Sequence, residues 1–335
     1  MGERNHMDAC RICGNEQGNK LHEVREMMYG LREAFEYIEC ANCGCLQIRT
    51  IPNDLSKYYP EGYWGFQKKR MAMEVQEGTL SAWLRRRRTQ YWLSTSRDPI
   101  GRLIAMKHEI PRHITWVRRA GLTSLNAPIL DVGCGLGDRL RTLRHEGFAN
   151  LTGVDPFIEK DINYPNGIRI RKSSLYDVNG KFDFITLHHS FEHMPDPRAV
   201  LEKLHTLLNA QSVVLVRIPV ADSYAWHNYG VHWAQIDAPR HFYLHTVKSM
   251  QHLAEQTGFD IVDVAYDSYE FQFWGSEQYK HDIPLYDELS YETHPEHCMF
   301  TAEQINAFQV RAREFNLSGE GDQACFYLRK RLFKT

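Results

Sequence analysis

The sequence predicts an α/β fold, a mostly parallel sheet with helices on both faces, preceded by a small cysteine-rich unit. Three observations predict it. From residue 128 onward, short apolar runs alternate with helix-length stretches. The first of these runs, PILDV at 128–132, opens into the glycine-rich turn GCGLG. Five of the eight cysteines fall within the first 45 residues. Strands alternating with helices at this spacing form a parallel sheet that must be covered on both sides.

Length and composition frame these elements. At 335 residues, 43% hydrophobic and 24% charged, the chain is ordinary globular material with room for one domain and attachments. A formal net charge of -2 provides no global basic field, so nucleic acid is an unfavoured partner. No apolar run is long enough to span a bilayer. The opening MGERNHMDACRICG lacks the apolar core of a signal peptide and the closing RKRLFKT carries no lipidation signal, so a cytoplasmic location is expected.

Residues 1–50 read as a zinc ribbon. C-R-I-C-G and C-A-N-C-G place Cys10, Cys13, Cys40 and Cys43 as two CxxC pairs. Two such hairpin tips close a tetrahedron of thiolates around zinc, and the bound metal supplies folding energy that so short a segment cannot draw from a core. Gly14 and Gly44 permit the positive-φ turns expected to aim backbone N–H groups at the sulfurs. With four protein ligands the zinc is structural. Cys45 is an alternative ligand, although in a regular knuckle its side chain should point away from that of Cys43.

Residues 51–120 read as a linker followed by a helical lead-in. The segment IPNDLSKYYPEGYWGFQKKR is rich in aromatics, and 76–120 has helix-like apolar spacing. The run Arg85–Arg88 is either a solvated helix face or a patch for an anionic partner such as a nucleotide-sugar diphosphate.

Residues 121–335 form the main domain. Strands are expected at 128–132, 150–154, 168–172, 182–187, 212–218, 259–266 and 323–329, with helices near 137–146, 196–209 and 246–257. The stretch 271–320 between the last two strands is too long to be an idle loop.

The turn ILDVGCGLGDRL carries the clearest site. Gly133 and Gly135 would let a ligand approach the backbone, and Gly137 would let the helix start close to the strand. A glycine pattern alone could serve a dinucleotide. Here, however, the strand ends in Asp131, the glycines read G-C-G-L-G, and the next strand ends in Asp155, where a carboxylate can accept both hydroxyls of a ribose.

These residues resemble motif I and the ribose-binding acid of class I S-adenosylmethionine-dependent methyltransferases, which have a Rossmann-like fold. The likeness continues through FDFITLHHSFEHMPDP, DAPRHFYLHT and GDQACFYLRK, and so covers nearly the whole chain. It implies a methyltransferase of the EC 2.1.1 type that binds S-adenosylmethionine through Asp131, Gly133, Cys134, Gly135, Asp155 and Pro156. By the same likeness Ser174 and Leu175 meet adenine, and His188 and His189 line the methionine end. A zinc unit followed by P…L..YYP…YW and this domain is similar to bacterial enzymes of polysaccharide and sugar modification. Deoxysugar C-methyltransferases also open with a zinc unit but carry a larger C-terminal domain, so O-methylation of a sugar hydroxyl is the expected reaction and C-methylation of a nucleotide deoxysugar the alternative.

A hydroxyl acceptor gains from a base, and histidine suits that task near neutral pH. HHSFEH supplies His188, His189, Glu192 and His193, and His227, His232, Asp237, Arg240 and His241 follow. The expected base is His193, oriented by Glu192, with His241 next; a helix cap and a packed loop histidine are the plainer readings of the same residues. His189, Glu192 and His193 also resemble the E-x-x-E-H metal motif of some O-methyltransferases, of the ubiquinone-pathway and small-RNA types, with His where the first Glu stands. A second, divalent ion is therefore an alternative to the histidine base, with His241 as a fourth ligand. The aromatic segment Trp226–His245, the insertion 271–320 and the linker Tyr58–Trp64 are expected to form the pocket for a small-molecule or glycan acceptor.

Overall fold

A computed structural model describes residues 9–60, 79–94 and 98–331. In chain order the elements are β1 (Lys20–Arg25), β2 (Ala34–Glu39), β3 (Leu46–Ile48), α1 (Thr79–Ser94), α2 (Pro99–Ala105), α3 (Arg112–Arg119), β4 (Ile129–Val132), α4 (Asp138–His145), β5 (Leu151–Val154), β6 (Ile162–Asn163), β7 (Arg169–Arg171), β8 (Phe182–His188), α5 (Pro197–Leu207) and β9 (Leu208–Pro219). They continue with α6 (Tyr224–Tyr229), β10 (Tyr243–Leu244), α7 (Val247–Gln256), β11 (Phe259–Tyr266), α8 (Phe271–Lys280), α9 (Ala302–Ser318) and β12 (Gln323–Lys330).

Eight strands form the main sheet in the order β11-β12-β9-β8-β4-β5-β7-β6. The middle of the sheet is parallel, from β9 through β8, β4 and β5 to β7. At one edge β12 runs antiparallel between β9 and β11. Each central strand is apolar along its length because both faces are covered: all four residues of β4 and most of β8 are buried. One face packs against α5 and α7, the other against α3 and α4.

Local chemistry sets the helix ends. Asp196 caps α5, accepting from the Ala199 amide, with Pro197 at the first helical position. Thr246 and Ser249 make a reciprocal capping box at α7, and Thr301 with Gln304 does the same at α9. α8 and α9 account for most of 271–320, and α8 is largely buried.

The N-terminal strands form a second sheet, ordered β1-β2-β3-β10. Its fourth strand comes from the main domain, and buried residues of the cysteine-rich unit join the apolar core on the α5 and α7 face. The arginine run of α1 is engaged within the chain. Arg87 pairs with Asp98, Arg88 with Glu146, and Arg85 donates to the His145 carbonyl. These three arginines are thus held by partners within the chain, which neither the solvated-face nor the anion-patch expectation described. Among the described residues, no helix is long and apolar enough to cross a membrane.

Candidate functional site

The turn after β4 brings Asp131, Gly133, Cys134 and Gly135 to the carboxyl edge of the parallel strands, the edge at which open α/β sheets bind ligands. Gly133 sits at φ +70°, where a Cβ would come within 2.5 Å of the Ser190 Cβ. Its small size therefore serves contact with the loop after β8. Gly137, at φ +80°, would drive a Cβ into Ile170 on β7.

Asp155 stands at the end of β5, 5% exposed. Its carboxylate accepts from the amides of Gly135 (2.9 Å) and Phe157 (2.8 Å), so it ties the two loops of the cleft together, with Pro156 between them. Burial raises its pKa. Asp131 accepts from the Thr186 hydroxyl at 2.7 Å, and burial pushes its pKa up to about 6. Ser174 caps a short turn by accepting from the Tyr176 amide, with Leu175 buried beside it. The Cys134 thiol is held high by burial.

His188 and His189 face a charged wall. The His188 ring lies 4.5 Å from Trp116 of α3, and Arg139 and Arg217 both stack over that indole. Between α3, α4 and the β4–β8 strands lies a cavity of about 170 Å³, lined by Arg112, Trp116, Asp131, Arg139 and His188 among others. His189 has φ +50°, and its Nε2 accepts from Arg217 at 2.6 Å while Arg217 also pairs with Asp267. Arg217 was within reach of sequence reading, as a lone charge inside the apolar run SVVLVRI.

Glu192, His193 and His241 place one ligand-type atom each within 4.8 Å of one another. The orientation of His193 differs from the sequence expectation. Its Nδ1 donates to the Arg240 carbonyl at 2.8 Å, so Arg240 rather than Glu192 fixes the ring. His241 donates in the same way to the Gln235 carbonyl at 2.8 Å. Both rings thus keep Nε2 as an open acceptor. The Glu192 carboxylate is fully buried, and neither oxygen has a hydrogen-bond partner among the described residues. His189 Nδ1 lies 3.3 Å away without hydrogen-bond alignment. Burial raises Glu192 to about 8, and burial beside His241 lowers His193 to about 3. His189 is outside this group of three, and its Nε2 is taken by Arg217.

In the cysteine-rich unit, Sγ of Cys10 lies 3.6 Å from that of Cys43, and Cys13 lies 3.5 Å from Cys40. A disulfide needs about 2.05 Å. A tetrahedron with metal–sulfur bonds of about 2.3 Å has edges near 3.8 Å, so the four thiols fit zinc. The glycine amides do not reach the sulfurs. Gly14 and Gly44 donate to the carbonyls of Cys10 and Cys40, whereas the Cys43 amide is aimed at the Cys40 sulfur. Cys45 points elsewhere, toward the Leu46 carbonyl and His245.

The aromatic segment 226–245 does not offer open rings. Trp226, Tyr229, Trp233, Phe242 and Tyr243 are each at most 7% exposed, and the Trp233 indole donates to Asp322. They pack the core because the loop that carries them is itself covered by α8 and the N-terminal sheet. Of the linker Tyr58–Trp64, residues 61–64 lie outside the described residues, as do residues 76–78 of the helical lead-in.

Residues 103–264 match the model of a family described as a methyltransferase domain. A ubiquinone biosynthesis O-methyltransferase of Pseudomonas aeruginosa is 30% identical over 114 residues, covering 30% of this chain and 48% of that protein. One from Colwellia psychrerythraea is 29% identical over 145 residues, covering 38% of this chain and 57% of that protein. The chain spans about half the length of the curated relatives it matches. Among solved structures, the cyclopropane synthase MmaA2 from Mycobacterium tuberculosis is 17% identical with a TM-score of 0.41, covering 65% of this chain and 83% of that one.

Proposed function

We infer that this chain, whose residues 103–264 form a methyltransferase domain, is an S-adenosylmethionine-dependent O-methyltransferase acting on a hydroxyl of a small-molecule or glycan acceptor. The observation that carries the reading is the cluster of Glu192, His193 and His241, in which each imidazole Nδ1 is committed to a backbone carbonyl and neither Glu192 oxygen has a hydrogen-bond partner among the described residues. Asp155 would hold the ribose of the cofactor, and the Gly133–Gly135 turn with His188 its methionine end. The cofactor supplies an electrophilic methyl group on a sulfonium, which departs as a neutral thioether.

The protein's part is to align the acceptor and remove its proton. His193 presents Nε2 to the acceptor O–H, held in that tautomer by the Arg240 carbonyl. This nitrogen would take the acceptor's proton as its oxygen becomes methylated. Glu192, raised to about 8, is a carboxylate whose affinity for a proton matches neutral pH far better than that of His193. It serves as the resting place of the proton, with His241 completing the cluster. A sugar hydroxyl in polysaccharide or glycolipid synthesis remains the proposed acceptor class, supported by the four-cysteine unit ahead of the domain. Its proposed aromatic wall is Tyr29, Tyr59 and Tyr286 rather than segment 226–245, with the Tyr29 and Tyr286 rings 5.2 Å apart and tilted by 32°.

A second reading is favoured by the orphaned Glu192 oxygens. Glu192, His193 and His241 fit a divalent cation, which would supply Lewis-acid charge to lower the acidity barrier of the acceptor hydroxyl. The ubiquinone-pathway relatives make a phenol-type acceptor the natural companion of that reading.

Calorimetric titration with S-adenosylhomocysteine tests the common core. Wild type is expected to bind it and Asp155→Ala to lose it. A folded wild type giving neither heat nor thermal stabilisation overturns the methyltransferase reading. Transfer of labelled methyl to sugars or phenols, with and without chelator and added Mg²⁺, then separates the two mechanisms.

A further inference from the structure

We propose that Glu26, at the tip of the cysteine-rich unit, is a positioning residue for the catalytic cluster, so that this unit is a working part of the active site. The proposal rests on the reading of Glu192, His193 and His241 as the acceptor-activating group.

Glu26 follows β1 and shapes the turn leading to β2. One carboxylate oxygen accepts from the amides of Met28 (3.1 Å) and Tyr29 (3.0 Å), and the other from the amide of Leu31 (2.9 Å). Three amides of its own turn therefore fix the carboxylate. Its remaining partner is the Arg240 guanidinium at 2.9 Å, and both side chains are fully buried. Arg240 also donates to Asp237 and to the Tyr58 carbonyl (3.1 Å). Its side chain is thereby held at every branch, and its backbone carbonyl is the group that receives the His193 Nδ1 proton.

The same grip continues along the loop. The Tyr37 hydroxyl donates to the His241 carbonyl at 2.8 Å, and the Ile48 amide donates to the Phe242 carbonyl at 2.9 Å. Tyr243 and Leu244 then pair with β3 as its edge strand. The Thr246 hydroxyl donates to the carbonyl of Cys43. Residues 240 to 246, which carry one cluster histidine and orient another, are thus laid down on the cysteine-rich unit. A buried ion pair is a poor way to gain stability, since desolvating two charges offsets most of their attraction. It is an effective way to specify one arrangement, because any other leaves a charge uncompensated.

The test uses zinc-replete full chain labelled with ¹⁵N-histidine. Long-range nitrogen–proton spectra report the tautomer of each imidazole, which a role in global folding alone would not alter in a protein that stays folded. In wild type, His193 and His241 are expected as Nδ1–H tautomers, each held by its backbone carbonyl. In Glu26→Gln, His193 should become a tautomer mixture, while S-adenosylhomocysteine affinity stays within about twofold. Should Glu26→Gln lose its cooperative unfolding transition, Tyr37→Phe, which removes a single hydroxyl, should perturb the His241 signal in the same way. Unchanged imidazole spectra in folded Glu26→Gln, or in Tyr37→Phe if the first variant does not fold, overturn the proposal. Failure of wild type to bind S-adenosylhomocysteine overturns the functional reading instead, so the two failures are distinct.

Discussion

The guanidinium of Arg240 lies 2.9 Å from the carboxylate of Glu26, across 214 residues of sequence and with neither side chain exposed. Truncating Arg240 to Ala would leave Glu26 and the buried Asp237 without their counter-charge. Loss of one partner from a buried pair costs about 3–5 kcal/mol. Denaturant unfolding of Arg240→Ala should show that loss, and a change below about 1 kcal/mol would mean the pair contributes little.

Asp155→Ala removes a carboxylate that joins the β4 and β5 loops and is proposed to receive the ribose. Two charge-assisted hydrogen bonds at about 1.5–3 kcal/mol each predict at least a hundredfold weaker binding of S-adenosylhomocysteine. Calorimetry checks this directly, with Thr152→Val on the same strand, whose hydroxyl is not proposed to meet the cofactor, as the control.

The four sulfurs of Cys10, Cys13, Cys40 and Cys43 lie close enough to hold one metal ion, and the Cys45 thiol is directed to the Leu46 carbonyl instead. Elemental analysis should find about one zinc per chain in wild type. Cys13→Ser should lose the zinc, and Cys45→Ser should keep it. Equal loss in both variants would assign Cys45 to the ligand set.

Glu192 gives a pH signature. Its pKa is raised from 4.5 to about 8 by burial, so the folded chain holds a proton that the unfolded chain has already released. The stability contributed by this protonated form is complete below pH 4.5 and is lost as pH rises through about 8. The midpoint of thermal unfolding should fall across that window in wild type, and fall less in Glu192→Gln. Methyl transfer, which needs the carboxylate free to take a proton, should rise along the same limb. Parallel stability profiles for the two proteins would show that Glu192 is not the titrating group.

The sequence by itself determined the strand–helix order of the main domain, the glycine turn after Val132, and the pairing of the cysteines into two knuckles. Each of these is written in neighbouring residues: a period of two or of 3.6, a positive-φ requirement, a two-residue spacing. Even there, contacts altered the reasons. Gly133 is small because Ser190 crosses it, and Gly14 and Gly44 turn the chain without serving the sulfurs. Only the tertiary structure decided that Tyr243 and Leu244 complete the N-terminal sheet, that Arg240 rather than Glu192 orients His193, and that the rings of 226–245 belong to the core. A two-residue strand has no period of its own, so its place is set by the free edge of β3 and not by its own residues. Glu26 is one acid among many in a polar turn, and it acquires a role only when folding brings a buried guanidinium to it and removes the water that would otherwise solvate both.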